Sequence, residues 1–142
     1  MISNELKRAN PNCAATCATL RLYGDALDPA EVSRLLGLEP TDSAAKGETV
    51  VVGAKSRTAP TGRWILTSEN AIQSTNLEDH LDWLLDRLSV VPCDVPGVGR
   101  ADVFCYWVSA TGHGGPELSP QMLARLASLQ LTLGFDLYFP SR

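Results

Sequence analysis

Apolar and polar residues alternate along "CAATCATLRLYG", residues 13–24, where Leu20 and Leu22 are set against Thr19 and Arg21. That period predicts a strand with one buried face, ending at Gly24. It lengthens in "LDPAEVSRLLGLEPT", residues 27–41, where Val32, Leu35 and Leu36 recur at helical spacing. Asp28 is a good N-cap, Pro29 suits the first helical position, and Glu31 completes a capping-box spacing. Gly37 is placed for a left-handed stop, with Leu38 folding back on the stripe. Val50, Val51 and Val52 predict a strand, the Gly, Ser and Pro residues after them a long turn, and "RWILTS", residues 63–68, the partner strand.

Asn76 caps a predicted helix over 77–91 that Pro92 stops. Its apolar stripe is Leu77, Leu81, Leu84, Leu85 and Leu88; Glu78, Asp79, Asp82 and Asp86 lie on the other side. An apolar, aromatic run at 101–110 predicts a strand near the sheet centre. Ser119 and Pro120 open another helix, and "LTLGFDLYF", residues 131–139, reads as a terminal strand.

The order is β-α-β-β-α-β-α-β, an α+β two-layer sandwich with a mixed or antiparallel sheet of about five strands and three helices. Its first six elements match the ferredoxin-like order. Residues 1–12 are read as a flexible polar segment and 13–142 as one domain, a usual size for a single core. Six of fifteen positions in 27–41 recur in register at 118–132, "LSPQMLARLASLQLT". Capped amphipathic helices share much of that grammar, but the matched Arg34 and Arg125 do not follow from it. An internal β-α-β duplication and convergent helix starts are the two readings.

Hydrophobic residues at 44% and charged residues at 20% describe an ordinary globular chain, and a net charge of −4 argues against a dedicated nucleic-acid binder. The polar start lacks a signal-like apolar run, and no uninterrupted apolar stretch is long enough to cross a bilayer, so a cytoplasmic protein without membrane contact is expected. Four cysteines, Cys13, Cys17, Cys93 and Cys105, are read as free thiols.

"ATLRLYGDALDPAEVSRLLGLEPT", "KGE", "GRWILTS", "LEDHLDWLLDRL" and the closing "LSPQMLARLASLQLTLGFDLYF" together resemble the bacterial proteins grouped as domain of unknown function 4279. The resemblance spans most of residues 18–139. It implies a small bacterial α+β module and brings no activity, cofactor or catalytic residue.

Candidate chemistry is sparse. No nucleophile elbow, zinc-protease or Walker pattern appears, and no catalytic residue, metal site or cofactor is assigned. Cys13 and Cys17 offer two corners of a zinc site without a second close pair. The loop "GHGGP", residues 112–116, is the small-molecule candidate: amides of Gly114 and Gly115, helped by the following helix N-terminus and by His113, would face an anion, with Lys46 or Arg63 closing the cleft. A plain connection is the simpler reading of that loop. Lys46, Lys55, Arg57 and Arg63 also form a basic hairpin, read first as a solvated tip.

In the long helix, His80, Trp83 and Arg87 make a stripe beside the acidic one of Asp79, Asp82 and Asp86, the composition of a protein-contact surface. The expected function is therefore a protein-binding or regulatory module, in one version a toxin-neutralising partner whose acidic face complements a basic enzyme. An enzymatic role is the weaker expectation, and homo-oligomerisation is compatible with the sequence.

Overall fold

The computed structural model describes residues 9–141. Strand β1 spans Cys13–Gly24, helix α1 Pro29–Leu36, β2 Asp42–Ala44, β3 Thr49–Val52, β4 Lys55–Thr58 and β5 Gly62–Thr67. Helix α2 spans Leu77–Leu85, β6 Arg100–Ser109, α3 Pro120–Ser128 and β7 Thr132–Tyr138. Five strands form one sheet in the order β2-β5-β1-β6-β7, and β3 and β4 form a separate ribbon. β1 is antiparallel to both β5 and β6, β2 is antiparallel to β5, and β7 is parallel to β6.

Read from β6 to β2, the four-strand core is a split β-α-β sheet of ferredoxin-like order, extended by α3 and a parallel edge strand. Two sequence expectations need correction. The strand that enters the sheet between α1 and β5 is Asp42–Ala44; Val50–Val52 pairs with Lys55–Arg57, not with residues 63–68. A three-residue edge strand has too little alternation to read, whereas three valines are conspicuous. Helix α2 also stops at Leu85, two turns before the expected end, and Pro92 opens a short 3-10 turn instead.

Alternation along β1 sends Ala18, Leu20 and Leu22 into one face, opposite Cys105, Val103 and Ala101 of β6. Trp64 and Leu66 of β5 join them, and the helices cover this face with Val32, Leu36, Leu81, Leu84, Leu85, Met122 and Leu126. Trp64 Nε1 donates to Ser33 Oγ at 3.0 Å, fixing α1 on the sheet.

Helix starts follow the caps. Asp28, Asn76 and Ser119 each accept a first-turn amide, and Gly37 takes φ 68° at the end of α1. Glu31 does not close the expected capping box; its carboxylate pairs with Arg34. Asn12 accepts from Ala110 N, so residues 10–12 are tied to the sheet end; residues 1–8 of the segment expected to be flexible lie outside the described residues.

The echoed helices both connect parallel strands, β1 to β2 and β6 to β7, but β5 separates only the first pair. Their arginines differ as well. Arg34 pairs within its own helix, whereas Arg125 reaches Asp82 and Asp86 of α2 at 3.0 and 2.9 Å. No helix among the described residues is long and apolar enough to cross a membrane.

Candidate functional site

The other face of the sheet carries no helix among the described residues. Cys17, Thr19, Arg21 and Tyr23 of β1 share it with Asp102, Phe104 and Tyr106 of β6, as the pairing register requires. Gly134, Asp136 and Tyr138 continue it on β7. Over one end of this face the segment between β5 and α2 forms a wall, and the two enclose a cleft of about 790 Å³. Its floor is Cys17, Thr19, Phe104, Tyr106 and Asp136; Glu69, Asn70, Ile72, Gln73, Ser74 and Thr75 form the wall. This is the volume of a small-ligand or side-chain pocket.

His80 holds the wall in place. Its Nε2 lies 2.9 Å from the Ser74 carbonyl, which only accepts, so Nε2 carries the proton. Nδ1 then accepts from Ser68 Oγ at 2.7 Å, and Ser68 Oγ accepts from Ala18 N on β1. Burial pushes the imidazole below its ordinary pKa, against the Ser74 bond and the Asp79 charge. The Ser68–His80 contact has the spacing of a nucleophile and its base, yet Ser68 is 0% exposed and both its roles are spent on structure. We read it as a pin between β1, β5, α2 and the wall.

The floor is fixed too. Arg21 grips Asp102 with Nε and Nη2 and places Cζ 4.2 Å from the Phe104 ring centroid. Arg100 meets the same buried carboxylate at 3.1 Å. Tyr106 and Tyr138 rings stand 5.5 Å apart, and Tyr138 Oη donates to Asp136 at 3.1 Å. The charged side chains lining the cleft are Glu69 and Asp136, both acidic, and His80 is held neutral. Arg21 already covers Phe104, and the Tyr106 ring with these carboxylates beside it suits an organic cation.

The thiols do not assemble. Burial raises the Cys17 thiol, and the Glu69 charge adds to the effect; burial pushes Cys105, on the opposite face, up to about 12. Neither is an activated nucleophile. The described residues contain no group of three metal-ligating side chains.

The expected anion cleft is not formed. Arg63 lies opposite Tyr23 at one end of β1, whereas Ser109, where the Gly-rich loop begins, lies opposite Cys13 at the other. About ten residues of strand, roughly 33 Å, separate them. Lys46 pairs with Asp25 and Arg63 with Asp42. Within the loop, Gly112 N and Thr111 N turn inward to Ser109 Oγ, and Ser109 donates to the His113 carbonyl, while Gly115 lines a separate cleft with Asn76, Glu78 and Ser119. The helix N-terminus beyond them is already occupied: the Glu78 carboxylate accepts from Ser119 N.

The expected contact stripe on α2 is divided. His80 and Asp79 are buried, the latter accepting from Ser74 Oγ, so neither presents a surface. Asp82 and Asp86 engage Arg125. Trp83 is half-buried, and Arg87 covers its exposed side with Cζ 4.0 Å from the ring. A nine-residue helix overlaid by α3 and the wall turns more of its circumference inward than its sequence indicates. What sequence reasoning missed was the open face itself. Its signal was present in the polar phase of β1 and in Asp102, Phe104 and Tyr106 at every second position.

The family model described as Domain of unknown function (DUF4279) matches residues 13–140, so the chain belongs to that family. No curated protein and no solved structure matches it.

Proposed function

We propose that this family member is a cytoplasmic bacterial protein-binding module whose open-face cleft receives a basic side chain of a partner. The observation that carries the reading is the pairing of the Tyr106 ring, beyond the Phe104 ring that Arg21 already covers, with two carboxylates, Glu69 and Asp136, in one cleft that no Lys or Arg among the described residues lines. A lysine or arginine would stack its stem or guanidinium on the Tyr106 ring and meet the carboxylates at the rim. The acidic charge complements a basic partner, which supports the narrower version in which the module neutralises a basic enzyme or toxin. Four free cysteines suit the reducing compartment.

Selection of a random peptide library on the immobilised protein tests this. Enriched peptides should carry a lysine or arginine anchor and should lose binding to the double variant Glu69→Lys, Asp136→Lys. Enrichment of acidic anchors, or equal binding to the variant, would contradict the proposal.

The β3–β4 ribbon supports a second contact. Val51 is 73% exposed and Val52 58%, and Lys55 and Arg57 have no carboxylate partner among the described residues. A two-stranded ribbon with bare valines is marginal alone and gains by lying on another surface. Val51→Ser with Arg57→Ser should weaken partner binding; unchanged affinity would remove the ribbon from the interface.

A further inference from the structure

The two edges of the sheet are built differently. β2 is only three residues long, a common protection against edge pairing, whereas β7 runs seven residues without Lys, Arg or Pro. Exposed apolar bulk gathers at β7. Of the eight large hydrophobic side chains exposed among the described residues, Phe135, Leu137 and Tyr138 belong to it. Tyr106 packs tilted against Tyr138, Phe139 follows the strand, and Leu123 faces outward from α3, which packs on β7. Only Val51 and Val52 lie elsewhere.

We infer that β7 is a homodimer interface, pairing antiparallel with β7 of a second copy about an axis at Phe135. That register overlaps all seven residues. It sets Leu133 opposite Leu137 of the second copy and Phe135 opposite its counterpart, while Thr132 meets Tyr138. Asp136, the one charged residue of the strand, falls opposite Gly134 and not opposite another carboxylate. Apolar residues 133, 135 and 137 of both copies share the helix-side face, where each copy's Leu123 adds to the patch. A one-residue slip would put apolar side chains on opposite faces, and an axis at Asp136 would oppose two like charges. Continuing the backbone ladder satisfies N–H and C=O groups that water otherwise holds. The axis stands normal to the sheet, so two five-stranded sheets become one and both open faces look the same way.

Sedimentation equilibrium of the full chain should give twice the 15.3 kDa monomer mass at micromolar concentration. Phe135→Lys should return it to the monomer with an unchanged circular dichroism spectrum. Phe135→Cys, in a Cys93→Ser background, should cross-link to a dimer with a short bis-maleimide, whereas Val51→Cys in that background should not. A monomeric wild type at high micromolar concentration, a dimer that survives Phe135→Lys, or failure of Phe135→Cys to cross-link would overturn the inference. These readouts are independent of whether the cleft binds a cation.

Discussion

Arg21 and Asp102 form a two-pronged ion pair across β1 and β6, with Nε–Oδ1 2.7 Å and Nη2–Oδ2 3.0 Å, under a sheet face that no helix among the described residues covers. Asp102 is 2% exposed, and Arg21 and Arg100 supply the counter-charge to this buried carboxylate. The pair also sets the height of Phe104, on which the guanidinium rests.

Asp102→Ala leaves Arg21 and Arg100 facing each other without a counter-charge. Loss of one partner of a fully buried pair costs about 3–5 kcal/mol; with Arg21 partly in water we expect about 2 kcal/mol. Urea denaturation measures it. Arg21→Lys should cost less, about 1 kcal/mol, because an ammonium cannot fork onto both oxygens or cover Phe104.

His80 predicts a direction of pH dependence. Its folded-state pKa lies below the ordinary value of 6.5. Above pH 6.5 the imidazole is neutral whether folded or unfolded, and its contribution is complete. As pH falls below 6.5 the unfolded chain takes up a proton that the folded chain resists, so stability declines until the folded pKa is reached. His80→Gln should lower stability at pH 7.5 by about 2 kcal/mol, through lost bonds to Ser68 and Ser74, and should flatten the slope below pH 6.5. Thermal melts of both proteins between pH 5 and 8 read the effect; parallel curves would contradict it.

The Arg125 bridges to Asp82 and Asp86 lie near the surface, and Asp86 is largely exposed. Arg125→Ala should therefore cost less than about 1 kcal/mol, and the difference from wild type should shrink in molar salt. A large, salt-insensitive loss would mean that the arginine packs more than it pairs.

Gly24 is the tightest of the described glycine positions. A Cβ there would stand 1.9 Å from the Gly97 carbonyl oxygen, a backbone atom that cannot turn aside. Gly24→Ala should destabilise by about 1–3 kcal/mol or more. Gly115→Ala, where a Cβ meets nothing, is the control and should be neutral.

Most of the fold was legible because its signals are local. The caps at Asp28, Asn76 and Ser119, the stop at Gly37 and the alternation of β1 each act within a few residues. Long-range pairing was less so. Nothing local distinguishes Val50–Val52 in a projecting ribbon from the same valines in a sheet, and Asp42–Ala44 is too short to carry a period. The site was hidden for a related reason. Charged residues on α2 looked solvent-facing because helical spacing names a side of the helix, not what packs there; Ser74, Ser119 and Arg125 come from other segments. The open face depends on strand order, which places Phe104 and Tyr106 between β1 and β7.

The cleft is most directly tested by amide chemical-shift mapping with one small probe, the capped tripeptide acetyl-Gly-Arg-Gly-amide, against its Glu counterpart. The arginine peptide should shift residues 17, 69–75, 104, 106 and 136 saturably at millimolar concentration. Tyr106→Ala and Asp136→Asn should each weaken binding several-fold, and the glutamate peptide should leave these residues unmoved. Shifts scattered over the surface, equal responses to both peptides, or no response at the cleft would contradict the account.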